Sequence, residues 1–449
     1  MTSDRLHNPP SALDVSLHHR IARLPRLLAL AASVGLAASS FAEKPAALSE
    51  LSITIKETYD TNVFGTEYNP VLAGRPEIAD LESWVTTVSP KVGVNLMPVF
   101  GLGKDSAITA LSLGYQGDYA FYHSASTETN QRHNFTQQIK TKSGDISFAL
   151  DNSFIYVDGK TTTPFYSLYN AYGTPAARER REQFQDRAKF VYRQNFDSVF
   201  VRCVGSLLYY DLKTRLNRPV GNYLGYQNFV DRKDLNAGLD LGEKITKDVA
   251  VWAGYRVGAQ QQDRLPWAGT LHCNSTYQRV LVGLEGKVAP WLKVDLQGGP
   301  DYRSYSDVAH LGLIGKHHTW IYTEGSITAD VSKNDSLVFT NKIWHWVSST
   351  STAAYRDSSY TLNYKHKFSS ALSGTIGARA LGSEYDKPTL RKDWLFGYSL
   401  GLRYDITKQY ALTLDYAHNA ARNKFDDHVK YPGREFNQDL ISLGLRAAF

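Results

Sequence analysis

Four short motifs contain residue types that could do chemistry. Gly397-Tyr398-Ser399-Leu400-Gly401 matches the G-x-S-x-G pattern, in which a serine nucleophile lies on a sharp turn between a strand and a helix. His317-His318 and Trp344-His345-Trp346 carry imidazoles that could bind a metal, and Asp60-Thr61-Asn62 carries oxygen ligands for a cation. A serine nucleophile requires an exposed turn, and a metal site requires further ligands nearby. The elements around these motifs therefore decide whether the motifs are functional or structural.

The surroundings of these motifs argue against catalysis and metal binding. Apolar residues alternate without a break from Trp394 to Ile406, which places Ser399 in the middle of a strand. Neither histidine motif has other ligands at the spacing of a zinc site, and Asp60-Thr61-Asn62 lacks the spacing and the glycine of a calcium loop. We therefore expect no enzymatic activity, no metal site and no cofactor.

The composition excludes several classes of protein. The 449 residues are 42% hydrophobic and 21% charged, which is typical of a folded chain. The net charge of +6 is spread along the whole sequence, so nucleic acid is not an expected partner. Only one apolar run approaches the length of a membrane-spanning helix, which excludes a polytopic helical membrane protein. The two cysteines, Cys203 and Cys273, allow one disulfide at most, and we expect both to be unpaired.

Residues 1–42 are predicted to be a cleaved secretory signal peptide. A basic flank ending at Arg26 precedes the apolar run Leu27–Ala38, and Ser40-Phe41-Ala42 supplies small residues for cleavage. The alternative is a membrane anchor, but the run is shorter than the ~20 residues that span a bilayer. The rest of the chain, 43–449, is predicted to be one exported domain.

The body of the sequence alternates with a period of two. In the clearest segment one face carries Trp394, Phe396, Tyr398, Leu400, Leu402, Tyr404 and Ile406, while small or charged residues occupy the other. The last segment repeats the pattern up to Phe449. The alternation predicts eighteen strands, with fourteen to eighteen as the acceptable range: 50–58, 81–97, 106–121, 132–142, 145–157, 183–195, 198–211, 228–243, 248–260, 275–288, 291–303, 316–331, 335–347, 355–367, 371–383, 391–406, 409–419 and 435–449.

A soluble β-sandwich and a transmembrane β-barrel both produce such alternation. The runs are longer than the ~5–6 residues of ordinary strands, and short connections alternate with long ones. Aromatic residues also crowd the strand ends, among them Trp344, Trp346, Trp394 and Tyr416, as in the interfacial girdles of barrels. We therefore predict an all-β, single, antiparallel up-and-down barrel in the bacterial outer membrane, with both termini in the periplasm.

The phase of each predicted strand assigns charged residues to the inside of the barrel. Ionised groups in such numbers require water, so the interior is predicted to be an aqueous lumen. Basic groups slightly outnumber acidic ones, which favours anions weakly. The lumen-facing candidates are Lys56, Asp118, Lys140, Asp151, Arg202, Asp240, Arg256, Glu285, Lys293, Asp295, Glu324, Lys365, Arg379, Arg403, Asp415 and Arg446.

These features predict a passive, porin-like diffusion channel for small hydrophilic solutes. The long segment 158–182 is either a solvated loop or a loop that folds inward and narrows the pore. A structural accessory barrel, with its pore closed by loops, is the alternative function. Expected partners are outer-membrane lipids, lipopolysaccharide and, transiently, the barrel-assembly machinery; a homo-oligomer is allowed but has no support in the sequence.

Two segments resemble known outer-membrane barrels. Phe449 ends an alternating strand, which resembles the C-terminal signal recognised by the barrel-assembly machinery. Glu57–Phe64, with Tyr59, Asp60, Asn62 and Phe64, resembles the Tyr-Asp-x-Asn-(Val/Ile)-Phe opening of the β-barrel porin type 2 family. The resemblance implies an outer-membrane barrel that in some members is linked to polysaccharide export, and it leaves the solute open. It implies that the alternative, an accessory barrel with its pore closed by loops, would be associated with exopolysaccharide export.

Overall fold

The computed structural model describes residues 46–63, 65, 81–103, 105–159, 181–213, 229–264, 273–348, 353–387, 389–425 and 435–449. These ranges contain eighteen long strands and one short 3-10 helix, Ser126–Glu128, which lies between the third and fourth strands. The strands are β1 Leu48–Asp60, β2 Ser83–Asn95, β3 Ile108–Tyr122, β4 Asn130–Ser143, β5 Ile146–Gly159, β6 Arg181–Phe196, β7 Val199–Leu212, β8 Arg232–Lys244, β9 Val249–Gln262, β10 Ser275–Ala289, β11 Leu292–Tyr305, β12 His317–Ala329, β13 Asp335–Val347, β14 Ala354–Lys367, β15 Leu372–Tyr385, β16 Arg391–Asp405, β17 Tyr410–Phe425 and β18 Phe436–Ala448.

The strands form one closed sheet. Every strand pairs antiparallel with its neighbours in sequence, and β1 pairs with both β2 and β18. The closing register runs from Ser52, opposite Ala448, to Asp60, opposite Leu440. Closure leaves no free edge strand, since every strand pairs with a neighbour on both sides. The all-β, eighteen-stranded, up-and-down barrel predicted from the alternation is confirmed.

The two ends of the barrel differ. The end that carries β1's first residue and β18's last residue, which we call the turn end, has connections of two to five residues, except for the twelve residues between β2 and β3. Two of these turns have two residues and begin with a positive φ, at Gly144 (55°) and Asp197 (53°). Glycine and aspartate are residue types that adopt this conformation readily. Most of the longer connections meet at the opposite end, which we call the loop end.

The outer face of the wall is apolar. Four neighbouring strands carry apolar residues that are 41–54% exposed: Leu362, Ile376, Leu400 and Leu414. Aromatic pairs flank this belt, as in the stacked rings of Trp394 and Phe396, whose centroids lie 5.8 Å apart. A continuous exposed belt of this kind requires a hydrocarbon surrounding.

A charge on this belt is expected to weaken the barrel strongly. Leu362→Arg places a guanidinium on the outer face, where its transfer from water into hydrocarbon opposes folding by about 2–4 kcal/mol. The matched control is Asn363→Arg, because Asn363 is the next residue on β14 and is exposed on the inner face. Urea unfolding in lipid vesicles measures both free energies, and equal losses for the two variants would contradict the assignment of the faces.

Several smaller predictions have a definite outcome. β16 continues without interruption through Ser399, so the strand-to-helix turn of a serine nucleophile does not occur there. No disulfide joins Cys203 to Cys273. The predicted signal peptide, 1–42, lies outside the described residues. None of the described residues forms a helix that is long and apolar enough to span a membrane.

Candidate functional site

The inner face of the wall is concave and charged. Arg193 on β6 donates to Glu285 on β10 over 2.6 Å, although four strand positions separate the two strands. Such contacts between distant strands form only on the concave side of a closed sheet. By register, this face carries all the predicted lumen candidates: Lys56, Asp118, Lys140, Asp151, Arg202, Asp240, Arg256, Glu285, Lys293, Asp295, Glu324, Lys365, Arg379, Arg403, Asp415 and Arg446. Their role in conduction stays a prediction.

Five charged residues, one from each of the five strands β6–β10, form one connected network. Arg202 donates to Asp240 over 2.7 Å and to Glu285 over 2.5 Å, while Arg193 occupies the other oxygen of Glu285. Arg256 donates to the second oxygen of Asp240, whose side chain is completely buried. Three guanidinium groups therefore share two carboxylates. The network holds one net positive charge against the wall of the lumen.

Glycines on the inner face leave the space that the side chains of this network need. A Cβ atom added to Gly254 would lie 1.9 Å from Asp240 Oδ1, and one added to Gly283 would lie 2.1 Å from the Trp252 ring. The Trp252 ring in turn supports Arg202, whose guanidinium carbon lies 4.7 Å from the ring centroid. The glycines therefore provide the space that the charged and aromatic side chains occupy.

A second network, which the sequence reasoning missed, lies closer to the loop end. Asp301 accepts from Arg279 over 2.8 Å and from Arg303 over 2.9 and 3.0 Å. Arg303 and Asp301 are completely buried, and the Tyr277 ring lies 4.2 Å from the Arg279 guanidinium. A signal was present: Tyr277 and Arg279 alternate with the apolar Val280 and its outward neighbours on β10. Phase reading therefore could have found the β10 members.

Other predicted lumen charges bind a neutral side chain or a single opposite charge. Asp118 accepts from Ser89 over 2.6 Å, Asp151 from Gln138 over 2.7 Å, and Arg379 donates to Asn419 over 2.7 Å. Pairs with an opposite charge join Glu324 to Lys342, Arg403 to Asp405 and Arg446 to Glu50. Among the described residues, no ion pair involves Lys140, Lys293, Asp295 or Lys365, and all four are exposed. Exposed charges on the inner face require water in the lumen.

The structure corrects the predicted position of two tryptophans. Trp344 and Trp346 were expected in an interfacial girdle, but both lie on the inner side of the wall. Trp344 packs against a buried cluster that contains Phe200 and Trp252, and the Arg232 guanidinium lies 5.1 Å from the Trp346 ring. Aromatic content at a strand end cannot distinguish the two faces, because a single-residue change of phase reverses them.

The described part of the loop end contains two interacting loops. Leu311 is completely buried, and a Cβ atom added to Gly312, whose φ is 67°, would lie 2.5 Å from the backbone of Lys387. Burial raises the pKa of the neighbouring Asp386 carboxyl. The segment 158–182, which was predicted either to be solvated or to narrow the pore, lies outside the described residues from 160 to 180. In the described loop 306–316, Leu311 is buried together with Tyr305, Val347 and Ala354.

The residues that resemble a family motif close the barrel. Asp60 Oδ1 accepts from the Asn62 backbone N–H and from Gln438 Nε2 on β18, both over 2.9 Å. Asn62 Nδ2 donates to a backbone oxygen of β18 over 3.1 Å, and the Tyr59 hydroxyl donates to Glu82. At the turn end, the Phe449 N–H donates to β1 over 2.9 Å. Phe64 lies outside the described residues.

Among the described residues, no three His, Cys, Asp or Glu side chains are grouped in a way that could hold a metal ion. The inner face instead carries guanidinium, ammonium and carboxylate groups, which act on a solute through charge and hydrogen bonding.

No protein-family model matches the sequence, and no curated protein matches it. The chain is similar to solved structures of the FrpB iron transporter from Neisseria meningitidis (F3-3 variant; 9% identity, 89% of this chain and 81% of that chain, TM-score 0.44). It is also similar to Pseudomonas aeruginosa OpdK with vanillate (9% identity, 89% and 98%, TM-score 0.40) and to the unliganded ferric citrate transporter FecA (10% identity, 90% and 80%, TM-score 0.40). These TM-scores are below 0.5, so the functional conclusion rests on the barrel itself.

The closed wall, the apolar belt and the wet interior together define a transmembrane barrel. Hydrocarbon accepts only structures whose backbone groups are all paired internally, and a closed barrel meets this condition. Single-chain barrels of the bacterial outer membrane have an even number of antiparallel strands, as this barrel does. The chain is an outer-membrane β-barrel.

Proposed function

We propose that this barrel is a passive, porin-like diffusion channel for small hydrophilic solutes, with a preference for anions. The observation that carries the proposal is the inner face: exposed charges such as Lys140, Lys293 and Lys365 need water, and the outer belt excludes it. An eighteen-stranded barrel is wide enough for an aqueous channel rather than a packed core. The short resemblance to the β-barrel porin type 2 family supports the same class of function.

The anion preference follows from the distribution of charge. The network around Asp240 has three guanidinium groups for two carboxylates, and the network around Asp301 has two for one. Lys287 and Lys293 lie opposite each other on β10 and β11, and both are exposed. Positive potential along the wall raises the local concentration of anions.

The direction of insertion is part of the same proposal. The turn end, which carries both ends of the barrel sheet, would face the periplasm, and the loop end would face the outside, where lipopolysaccharide surrounds the barrel. Insertion would require the barrel-assembly machinery, for which the C-terminal Phe449 is the proposed signal.

Conductance of the purified barrel tests this function. In a planar bilayer we expect steady single-channel steps. When the two compartments hold different concentrations of KCl, the reversal potential should shift toward the equilibrium potential of chloride. Vesicles that contain the barrel should swell in small sugars and amino acids but not in larger oligosaccharides. A silent, fully folded barrel in both assays would contradict the channel and favour the accessory role in exopolysaccharide export.

A further inference from the structure

The wall has an incomplete seam at the loop end, between β12 and β13. The paired register of these strands ends at Thr323 opposite Ile343, although β12 extends to His317 and β13 extends to Val347. On their other sides both strands stay paired, β12 with β11 as far as His317 and β13 with β14 as far as Val347. The facing backbone of 317–322 and 344–347 is therefore unpaired across this seam.

The end of β13 leaves the wall and crosses the inner face. Gln260 on β9 donates from Nε2 to the His345 backbone oxygen over 3.1 Å, and Gln262 donates to the Val347 backbone oxygen over 3.1 Å. β9 is four strands away from β13, so these bonds cross β10, β11 and β12 inside the barrel. Two side-chain amides thus bind backbone oxygens at the end of β13, where the pairing with β12 is missing. We call residues 344–348 and 353–357 the inner tip.

Packing holds the inner tip in this position. The His345 and Trp320 rings are stacked, with centroids 4.7 Å apart. Val347 and Ala354 pack with the completely buried Leu311 of the loop 306–316. These contacts place the tip across part of the lumen.

The same position leaves polar atoms buried without hydrogen-bond partners among the described residues. They include Nη1 of Arg303, whose side chain is completely buried, and both ring nitrogens of His345, which is 3% exposed. Burial of unpartnered donors opposes the inward position, since water would satisfy them if the tip moved away. The ring stacking and the amide hydrogen bonds favour the inward position of the tip. The unpaired seam and the buried polar atoms favour movement of the tip away from it.

We propose that the inner tip is a gate of the channel, which moves between the inward position and a position paired with β12. Continuation of the existing register would place His345 opposite Ile321 and Trp346 opposite Trp320, completing the wall and opening the lumen at the loop end. The gate rests on the proposed channel function, since a movement without conduction would open nothing. Gln260 and Gln262 are the positioning residues that hold it inward.

The double variant Gln260→Ala with Gln262→Ala tests how the tip is held. We expect single-channel conductance at least about twofold higher than that of the wild type, or a matching rise in open time, because two bonds that hold the tip are lost. The control is Gln261→Ala, since Gln261 lies between them on β9 and is exposed on the outer face. A folded double variant that conducts exactly as Gln261→Ala does would overturn the gating role.

A disulfide tests the outward position without relying on conductance. In a background of Cys203→Ala and Cys273→Ala, Ile321→Cys with His345→Cys should form a disulfide on mild oxidation, because neighbours across an antiparallel pair lie within disulfide reach. Thr323→Cys with Ile343→Cys, paired in the structure, is the positive control. Cross-linking of the control pair alone would overturn the movement. Cross-linking of both pairs in a barrel that never conducts would instead remove the channel function and leave the movement.

Discussion

Replacement of Asp240 by alanine is expected to lower the free energy of unfolding by about 3–5 kcal/mol, one of the largest effects of any single lumen substitution. The Asp240 carboxylate is completely buried and accepts from both Arg202 and Arg256. Its removal leaves Arg256, which is only 7% exposed, with backbone oxygens as its remaining partners. An uncompensated buried guanidinium is costly because neither water nor a counter-charge reaches it. Urea unfolding in lipid vesicles measures the loss.

Two further variants separate this effect from a general loss of lumen charge. Asp151→Ala removes an exposed inner-face carboxylate whose partner is the neutral Gln138, so we expect a change within about 0.5 kcal/mol. The double variant Asp240→Ala with Arg256→Ala should lose less stability than the sum of the two single variants, since it removes the unpaired charge together with its partner. Equal losses for Asp240→Ala and Asp151→Ala would show that the network does not stabilise the barrel.

Reversal of two lysines is expected to change the ion selectivity of the channel. Lys287 and Lys293 face each other across β10 and β11 and are exposed in the lumen near the turn end. Changing both to glutamate alters the local charge by four, so the anion-to-cation permeability ratio should fall by about two- to fivefold. The reversal potential in a KCl gradient measures this ratio.

Salt and position provide the controls for the selectivity change. The effect should shrink near 1 M salt, where the Debye length is about 3 Å and exposed charges are screened. Lys233→Glu reverses an exposed lysine on the outer face of β8 and should leave the ratio unchanged. If Lys233→Glu shifted the potential as much as the lumen pair, selectivity would not arise from the inner face.

The positions of the predicted pore residues required only the phase of each strand. Because side chains alternate strictly between the two faces, one recognised apolar row assigns every charged residue of that strand to the opposite face. Arg202, Asp240, Arg256 and Glu285 were placed together on the inner face in this way, and the structure joins them in one network. Arg303 and Asp301 were missed, although they alternate in the same manner at the end of β11.

The sequence by itself determined the all-β class, the number of strands and the two faces of the wall. These depend on a local period of two and on the lengths of runs and connections, which require no knowledge of distant contacts. Tertiary structure alone decided which charges bind each other, that Trp344 and Trp346 point inward, and that β13 separates from β12 beyond Thr323. Those features depend on curvature and on contacts between strands far apart in the chain, such as that of Gln260 with His345. The alternation of neighbouring residues contains no information about curvature or about contacts between distant strands.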